Sequence, residues 1–249
     1  MKNHRVWLYP SCLLVFILLC WEVAVKVLAV PSYLLPAPTA LGSYFWNYLQ
    51  TGDLLLNLWT TLKEIFIGTI WGILVGLLLG YLMAKISLIE RLLMPLILVI
   101  QIAPKISLAP LFILWFGLGI GSKVALVILV VSFPVMVNEH MALKQIDQNY
   151  RDFLTVLKAN HWQRFKTLES PFAFAAVMSG VKLSLTQAMT GAVIGEMMGA
   201  KSGLGYLLTY GNEMYDINII LSSVIVLSAL GLILYYLAEL IEKKILYWR

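Results

Sequence analysis

Residues able to make or break bonds are few in this chain, and none falls into a reactive pattern. Its histidines, His4, His140 and His161, do not pair at metal-ligand spacing, and no H-E-x-x-H occurs. The G-x-x-x-x-G-K-[ST] phosphate loop is missing too, since the nearest text, Gly117 to Lys123, has the wrong spacing. Cys12 and Cys20 lie in one apolar run and imply no disulfide framework. The expectation is a protein with no catalytic residue, no metal and no cofactor of its own. What stands out is charge in apolar company: Lys63, Glu64, Lys105, Lys182 and Glu196. A charge at the centre of a membrane helix costs roughly 2.5–3.5 kcal/mol, so each must snorkel, pair or face water. Lys182 lies ten residues past Phe172, ~15 Å along a helix at about 1.5 Å per residue, which makes it a candidate for a pathway or gate. Gln101, Gln187, Thr190 and Glu196 are the other polar candidates for a translocation path.

The elements that must position these groups follow from composition. The chain has 249 residues, 61% hydrophobic and 12% charged, with a mean hydropathy of +0.86. Soluble domains carry roughly 45–50% apolar residues, so a water-soluble globule is excluded. About 20 apolar residues cross a bilayer, and six stretches qualify: about 11 to 29, 57 to 83, 91 to 116, 123 to 142, 172 to 198 and 217 to 240. The expected fold is all-α, a polytopic membrane protein with about six transmembrane helices in a single domain over residues 1–249. The opening Met1 to Arg5 and its apolar run also resemble a signal peptide, but no clean small-x-small site follows, and a retained first helix is expected.

Charge placement gives direction. Lys2, Arg5, Lys85, Arg91, Lys144, Arg151, Lys158, Arg164, Lys166, Lys243, Lys244 and Arg249 fall at the termini and in alternate loops, whereas the stretch from Val30 to Leu62 has no Lys or Arg. The positive-inside rule then places both termini in the cytoplasm. The net charge of +5 is a record of this topology, and nucleic acid is not an expected partner. On the opposite side, residues 30 to 56 contain Tyr44, Phe45, Trp46 and Tyr48, which suit a helix at the aromatic belt.

Gly68, Gly72, Gly76 and Gly80 recur every four residues in the second stretch, and Gly180, Ser184, Ala188 and Ala192 do so in the fifth. Such rows let a neighbouring backbone approach closely. Pro95, Pro104 and Pro110 in the third stretch and Pro134 in the fourth predict kinks or breaks. The segment 143–171 is the one sizeable polar segment and reads as a cytoplasmic loop. Taken as a helix, residues 150 to 165 align Tyr150, Phe153, Leu154, Leu157, His161 and Phe165 on one face, which fits either the membrane surface or a groove on a cytosolic partner.

Within this loop, the run from Asp147 to Lys182 resembles the EAA loop of importer-type ABC transporter permeases, most closely the nitrate, sulfonate, taurine and thiamine-precursor group. Asp147, Leu157, Ala159, Trp162, Gln163, Pro171 and Gly180 hold that pattern. Leu35 to Pro38 resembles the group's L-P-x-P, and Ala103 to Gly119 its P-x-x-A-L-A-P-L…W-F-G-x-G. Gly195-Glu196-Met197 with Ser202 to Gly205 resembles its E-M…G-L-G. The likeness covers residues 34 to 249. Asp152-Phe153-Leu154 departs from E-A-A, and Lys158 occupies the family glycine, a place where a positive φ costs a lysine about 1–2 kcal/mol. Asn160 is expected to take over that turn.

The resemblance implies a type I ABC importer permease-like bundle in the bacterial inner (plasma) membrane. It implies a homodimer with the path between copies, a cytosolic ABC ATPase subunit that uses ATP and Mg, an extracytoplasmic solute-binding protein, and surrounding membrane lipid. Coupling to the ATPase would run through Arg151, Asp152, Phe153, Leu154, Leu157, Lys158, Ala159, His161 and Arg164. The solute would be a nitrate-, sulfonate- or taurine-like anion, or a thiamine-precursor-like vitamin intermediate. A secondary transporter or channel acting without an ATPase is the alternative reading.

Overall fold

The structure is a computed structural model describing the backbone of residues 4–245 and their side chains apart from residues 4–8 and 10. Lys2 and Arg249, used above for orientation, lie outside the described residues. In chain order the helices are α1 (His4–Val27), α2 (Pro38–Thr51), α3 (Asp53–Lys85), α4 (Ser87–Ile102), α5 (Lys105–Phe116) and α6 (Ile120–Lys144). They continue with α7 (Gln148–Val156), α8 (His161–Arg164), a π-helical turn (Phe165–Glu169), α9 (Ser170–Met197), α10 (Leu204–Glu213) and α11 (Ile217–Ile245). No strand occurs among the described residues. The expected all-α membrane bundle is what forms.

Among the described residues, four single helices are long and apolar enough to span a bilayer, namely α3, α6, the continuous rod from His161 to Met197, and α11. The expected first span falls on α1. The third span, where the prolines predict a kink or a break, is broken into two helices, α4 and α5, meeting at 107°. Pro104 explains the break. Ala103 before it is extended at ψ 136°, and Pro104 opens α5 at φ −60°. Pro95, Pro110 and Pro134 stay inside their helices.

The centre of the bundle is α6, clasped between α3 and α9. A Cβ added at Gly68 or Gly72 would meet Val127 or Val131, and one at Gly76 or Gly80 would lie 2.7 Å from the carbonyl oxygen of Ser132 or Met136. On the other flank, Gly180 lies against Pro134 and Gly191 against Val130. The glycine rows therefore bring two backbones onto one helix, and Ile65, Val127, Val130, Val131, Ala188 and Ala192 close the core between them.

At the extracytoplasmic end expected from charge, α2 forms where the aromatic segment predicts a helix. Trp46 is exposed, but Tyr44, Phe45 and Tyr48 pack on Leu54, Leu204, Leu207 and Ile219. Glu22 of α1 accepts from the Thr39 amide (3.1 Å) and hydroxyl (2.9 Å), satisfying one of the free N-terminal donors of α2.

Candidate coupling surface and translocation path

The segment 143–171 is a helix, a tight turn and a second helix rather than one helix over 150–165. Asp147 caps α7 through the Asn149 amide (2.8 Å). The chain turns at Lys158, which itself takes a left-handed conformation at φ +52°. This corrects the expectation for Asn160, which is extended at φ −73°, ψ 171° and caps α8. Its carboxamide oxygen accepts from the Gln163 amide, and its own amide donates to the Gln163 side chain, both at 2.8 Å. The capping pair Asn160-x-x-Gln163 is a sequence signal that the periodicity argument passed over. Because Lys158 holds a glycine-type conformation, Lys158→Gly should relieve about 1 kcal/mol of strain, partly offset by a looser unfolded chain. The expected result is up to fivefold slower hydrogen exchange across residues 157–160, read by mass spectrometry.

The turn sorts the expected coupling residues into two groups. Phe153 and Leu157 point outward at 63% and 59% exposure, joined by Tyr150 and by Val156, which sequence reasoning missed. Arg151, Leu154 and Arg164 instead turn inward and, with the exposed His161 at the rim, line a recess against Tyr81, Lys85, Leu168 and Glu169. Arg151 donates to the Leu143 carbonyl (2.7 Å) and Arg164 to the Ala159 carbonyl (3.0 Å), so both brace the loop. Asp152 accepts from Gln148 one turn back (2.8 Å), and Ala159 sits between turn and cap. Glu169, also missed, binds the Lys85 ammonium and accepts from the Tyr81 hydroxyl (3.1 Å), tying the π-helical turn to α3. Pro171 lacks the amide that would bond back to Thr167, which favours the wide turn there.

The path candidates separate as well. Lys182 forms an ion pair with Glu242 of α11, so its charge is answered within the chain. Lys105, at the first turn of α5, donates to Gln187 of α9 (3.0 Å), placing a cation and an amide beside the α4–α5 break. Gln101 is exposed in the last turn of α4. Thr190 lines a groove with Thr186, Ser228 and Tyr235 between α9 and α11.

Glu196 is fully buried, in a capping role. Three successive amides at the start of α10 meet three side chains: Gly203 donates to Asn57 (2.6 Å), Leu204 to Thr61 (2.8 Å) and Gly205 to Glu196 (2.6 Å). Thr61 donates in turn to Glu196 (2.6 Å). Gly203 sits at φ +120°, and a Cβ there would strike the Glu196 carboxyl, so only glycine fits. Glu196→Ala would strand the Gly205 amide, a loss of about 1–3 kcal/mol, and leave the Thr61 hydroxyl only its longer bond to the Asn57 carbonyl (3.3 Å). The variant should melt at lower temperature in detergent and be cleaved between residues 199 and 203 by added protease.

An all-α bundle of membrane-spanning helices with a braced amphipathic helix in its polar loop is the architecture of a multi-pass membrane protein. Residues 68–247 match the family described as binding-protein-dependent transport system inner membrane component, and the chain belongs to it: a multi-pass inner-membrane permease subunit of an ABC importer. Among its relatives is the riboflavin transport system permease protein RibX of Chloroflexus aurantiacus, 32% identical over 94% of this chain and 88% of that one. The formylaminopyrimidine transport permease protein ThiX of Halalkalibacterium halodurans is 32% identical over 100% and 99%. The putative aliphatic sulfonates transport permease protein SsuC of Bacillus subtilis is 28% identical over 100% and 90%. In fold, the chain is similar to the MetNI methionine ABC transporter in inward-facing form, with TM-score 0.69 at 17% identity over 78% of this chain and 97% of that one.

Proposed function

We propose that this subunit works as a homodimer, both termini cytoplasmic, and imports a neutral, hydrogen-bonding heteroaromatic vitamin or vitamin precursor. The described residues belong to one transmembrane domain, with 143–171 its cytoplasmic coupling loop. A separate ATPase subunit binds and hydrolyses ATP with Mg, and an extracytoplasmic binding protein delivers the solute. The observation that carries the coupling reading is the exposed apolar ridge Tyr150, Phe153, Val156 and Leu157 on a helix whose opposite side is anchored to the bundle. Asp152, Lys158 and Ala159 set the polar edge and turn of that ridge, and Arg151, Leu154, His161 and Arg164 carry its movement inward. An ATPase pair that closes on ATP and binds the ridges differently in inward and outward states shifts the population between them.

The pairing of Lys182 with Glu242 supports a neutral solute, because the charge of this path candidate is already compensated. Gln101, Gln187 and Thr190 then serve as hydrogen-bonding contacts along the path, with Lys182 and Glu196 holding its walls. The relatives named for riboflavin and formylaminopyrimidine transport are the more similar of those above, at 32% against 28% for SsuC. Vesicles holding the permease, its ATPase and its binding protein should take up a heteroaromatic vitamin only with ATP inside. Gln187→Leu should cut that uptake about tenfold, the value of one hydrogen bond of about 1.4 kcal/mol. Uptake of a sulfonate instead, lost in Lys105→Gln, would assign the path to an anion.

A further inference from the structure

A cavity of about 410 Å³ lies at the inner end of the bundle, between α3, α6, the π-helical turn and the start of α9. Its walls are mainly apolar, with Leu77, Leu143, Phe165, Phe174 and Val177 among them, and two carboxyl groups reach it, Glu139 and Glu169. The two differ in one respect. Glu169 has Lys85 on one oxygen and Tyr81 on the other. Glu139 is 7% exposed, and its Oε2 has no hydrogen-bond partner. Lys85 is paired with Glu169, and Lys144 and the Nε2 of His140 with Glu90. Gly80 permits the carboxyl to lie where it does, since a Cβ there would come within 2.9 Å of Glu139 Oε2.

A buried carboxyl oxygen without a hydrogen-bond partner is unfavourable, and a bare apolar body in this cavity would leave it unanswered. The volume falls within the roughly 300–1,000 Å³ of small-molecule sites, and the lining has their usual form, apolar with one placed polar group. We propose that this cavity is a binding site for a primary ammonium group carried on an apolar body, with Glu139 as its anchor. An ammonium donates to the carboxylate in a charge-assisted bond, while the body fills the space among Leu77, Phe174 and Val177. A soluble arylalkylamine and the headgroup of an ethanolamine phospholipid share this chemistry. The site is separate from the Lys105–Gln187 region and from the outward ridge of α7. It lies where the π-helical turn meets α3 and α6, so an occupant would wedge the joint between coupling loop and bundle.

Equilibrium dialysis of the purified full-length chain in detergent with radiolabelled phenethylammonium tests this. Saturable binding is expected, at least tenfold weaker for the trimethylammonium analogue, which cannot donate a hydrogen bond, and at least tenfold weaker in Glu139→Gln. Val177→Phe, which leaves the carboxyl in place and fills the space, should abolish binding. It keeps the test open should Glu139→Gln fail to fold. Competition by vesicles of phosphatidylethanolamine, and not by phosphatidylcholine, would identify the lipid as the source; competition by neither would point to the soluble amine. Absence of saturable binding to the unaltered chain, or equal binding by Glu139→Gln and Val177→Phe, would overturn the assignment.

Discussion

Replacing Leu157 by aspartate should lower recovery of the ATPase subunit in co-purification at least 100-fold, with membrane insertion and detergent melting unchanged. Leu157 is 59% exposed and closes the ridge that runs through Phe153 and Val156, so the isolated subunit loses little when it changes. In the docked complex the same side chain would give up about 1.5–3 kcal/mol of apolar burial, and the new carboxylate would be buried without a partner. Together these exceed the 2.7 kcal/mol that a 100-fold change requires. Leu154→Asp is the contrasting variant. Leu154 faces the recess beneath the loop, and its replacement should lower melting temperature along with assembly. Full-strength assembly of the Leu157→Asp subunit would show that the ATPase grips another surface.

Gly76→Val should disrupt the bundle itself. The first added carbon would lie 2.7 Å from the Ser132 carbonyl oxygen and 2.9 Å from Val135 Cβ, and a backbone oxygen cannot swing aside as a side-chain tip can. The two helices must separate, with a loss of about 3 kcal/mol, equivalent to a melting temperature roughly 6–12 °C lower for a chain of this size. Size-exclusion chromatography and thermal unfolding in detergent would read the effect. Gly42→Ala supplies the control, because a Cβ at Gly42 meets nothing within 4 Å, and alanine in a helix is favoured by about 0.5–1 kcal/mol. Equal behaviour of the two variants would contradict the clasp around α6.

The repeat of Gly68, Gly72, Gly76 and Gly80 announced a close helix contact, and the contact exists, because a four-residue period in small side chains has few other physical uses. Pro104 announced a break but not its angle. The direction of α5 depends on what α6 and α9 offer, including Gln187 for Lys105, and no local pattern encodes that. The left-handed residue was misplaced for a similar reason. Asn tolerates that region better than Lys, yet Asn160 is worth more as a cap on α8, and the cap moves the turn to Lys158. Glu196 and Lys182 were visible as charges in apolar sequence, while their partners, Thr61 with Gly205 and Glu242, lie 135, 9 and 60 residues away. Glu139 and Glu169 drew no notice because each sits near the end of an apolar stretch, where a charge needs no explanation until burial is known.

The clasp around α6 has a mechanical side. Side chains between helices act as springs, since a rotamer can shift and take up a displacement; a glycine row offers no such compliance. With α3 on one flank and α9 on the other meeting its backbone almost directly, α6 is a stiff strut, and its inner end leads within four residues into α7. In the coupling proposed above, a push on α7 would be delivered along the strut to the loop at Gly117–Gly119, where the buried Lys123 ammonium holds the Leu118 and Gly119 carbonyls. In that coupling, α3, α6 and α9 would move as one rigid lever, and the break at Pro104, outside the clasp, would supply the freedom for opening and closing.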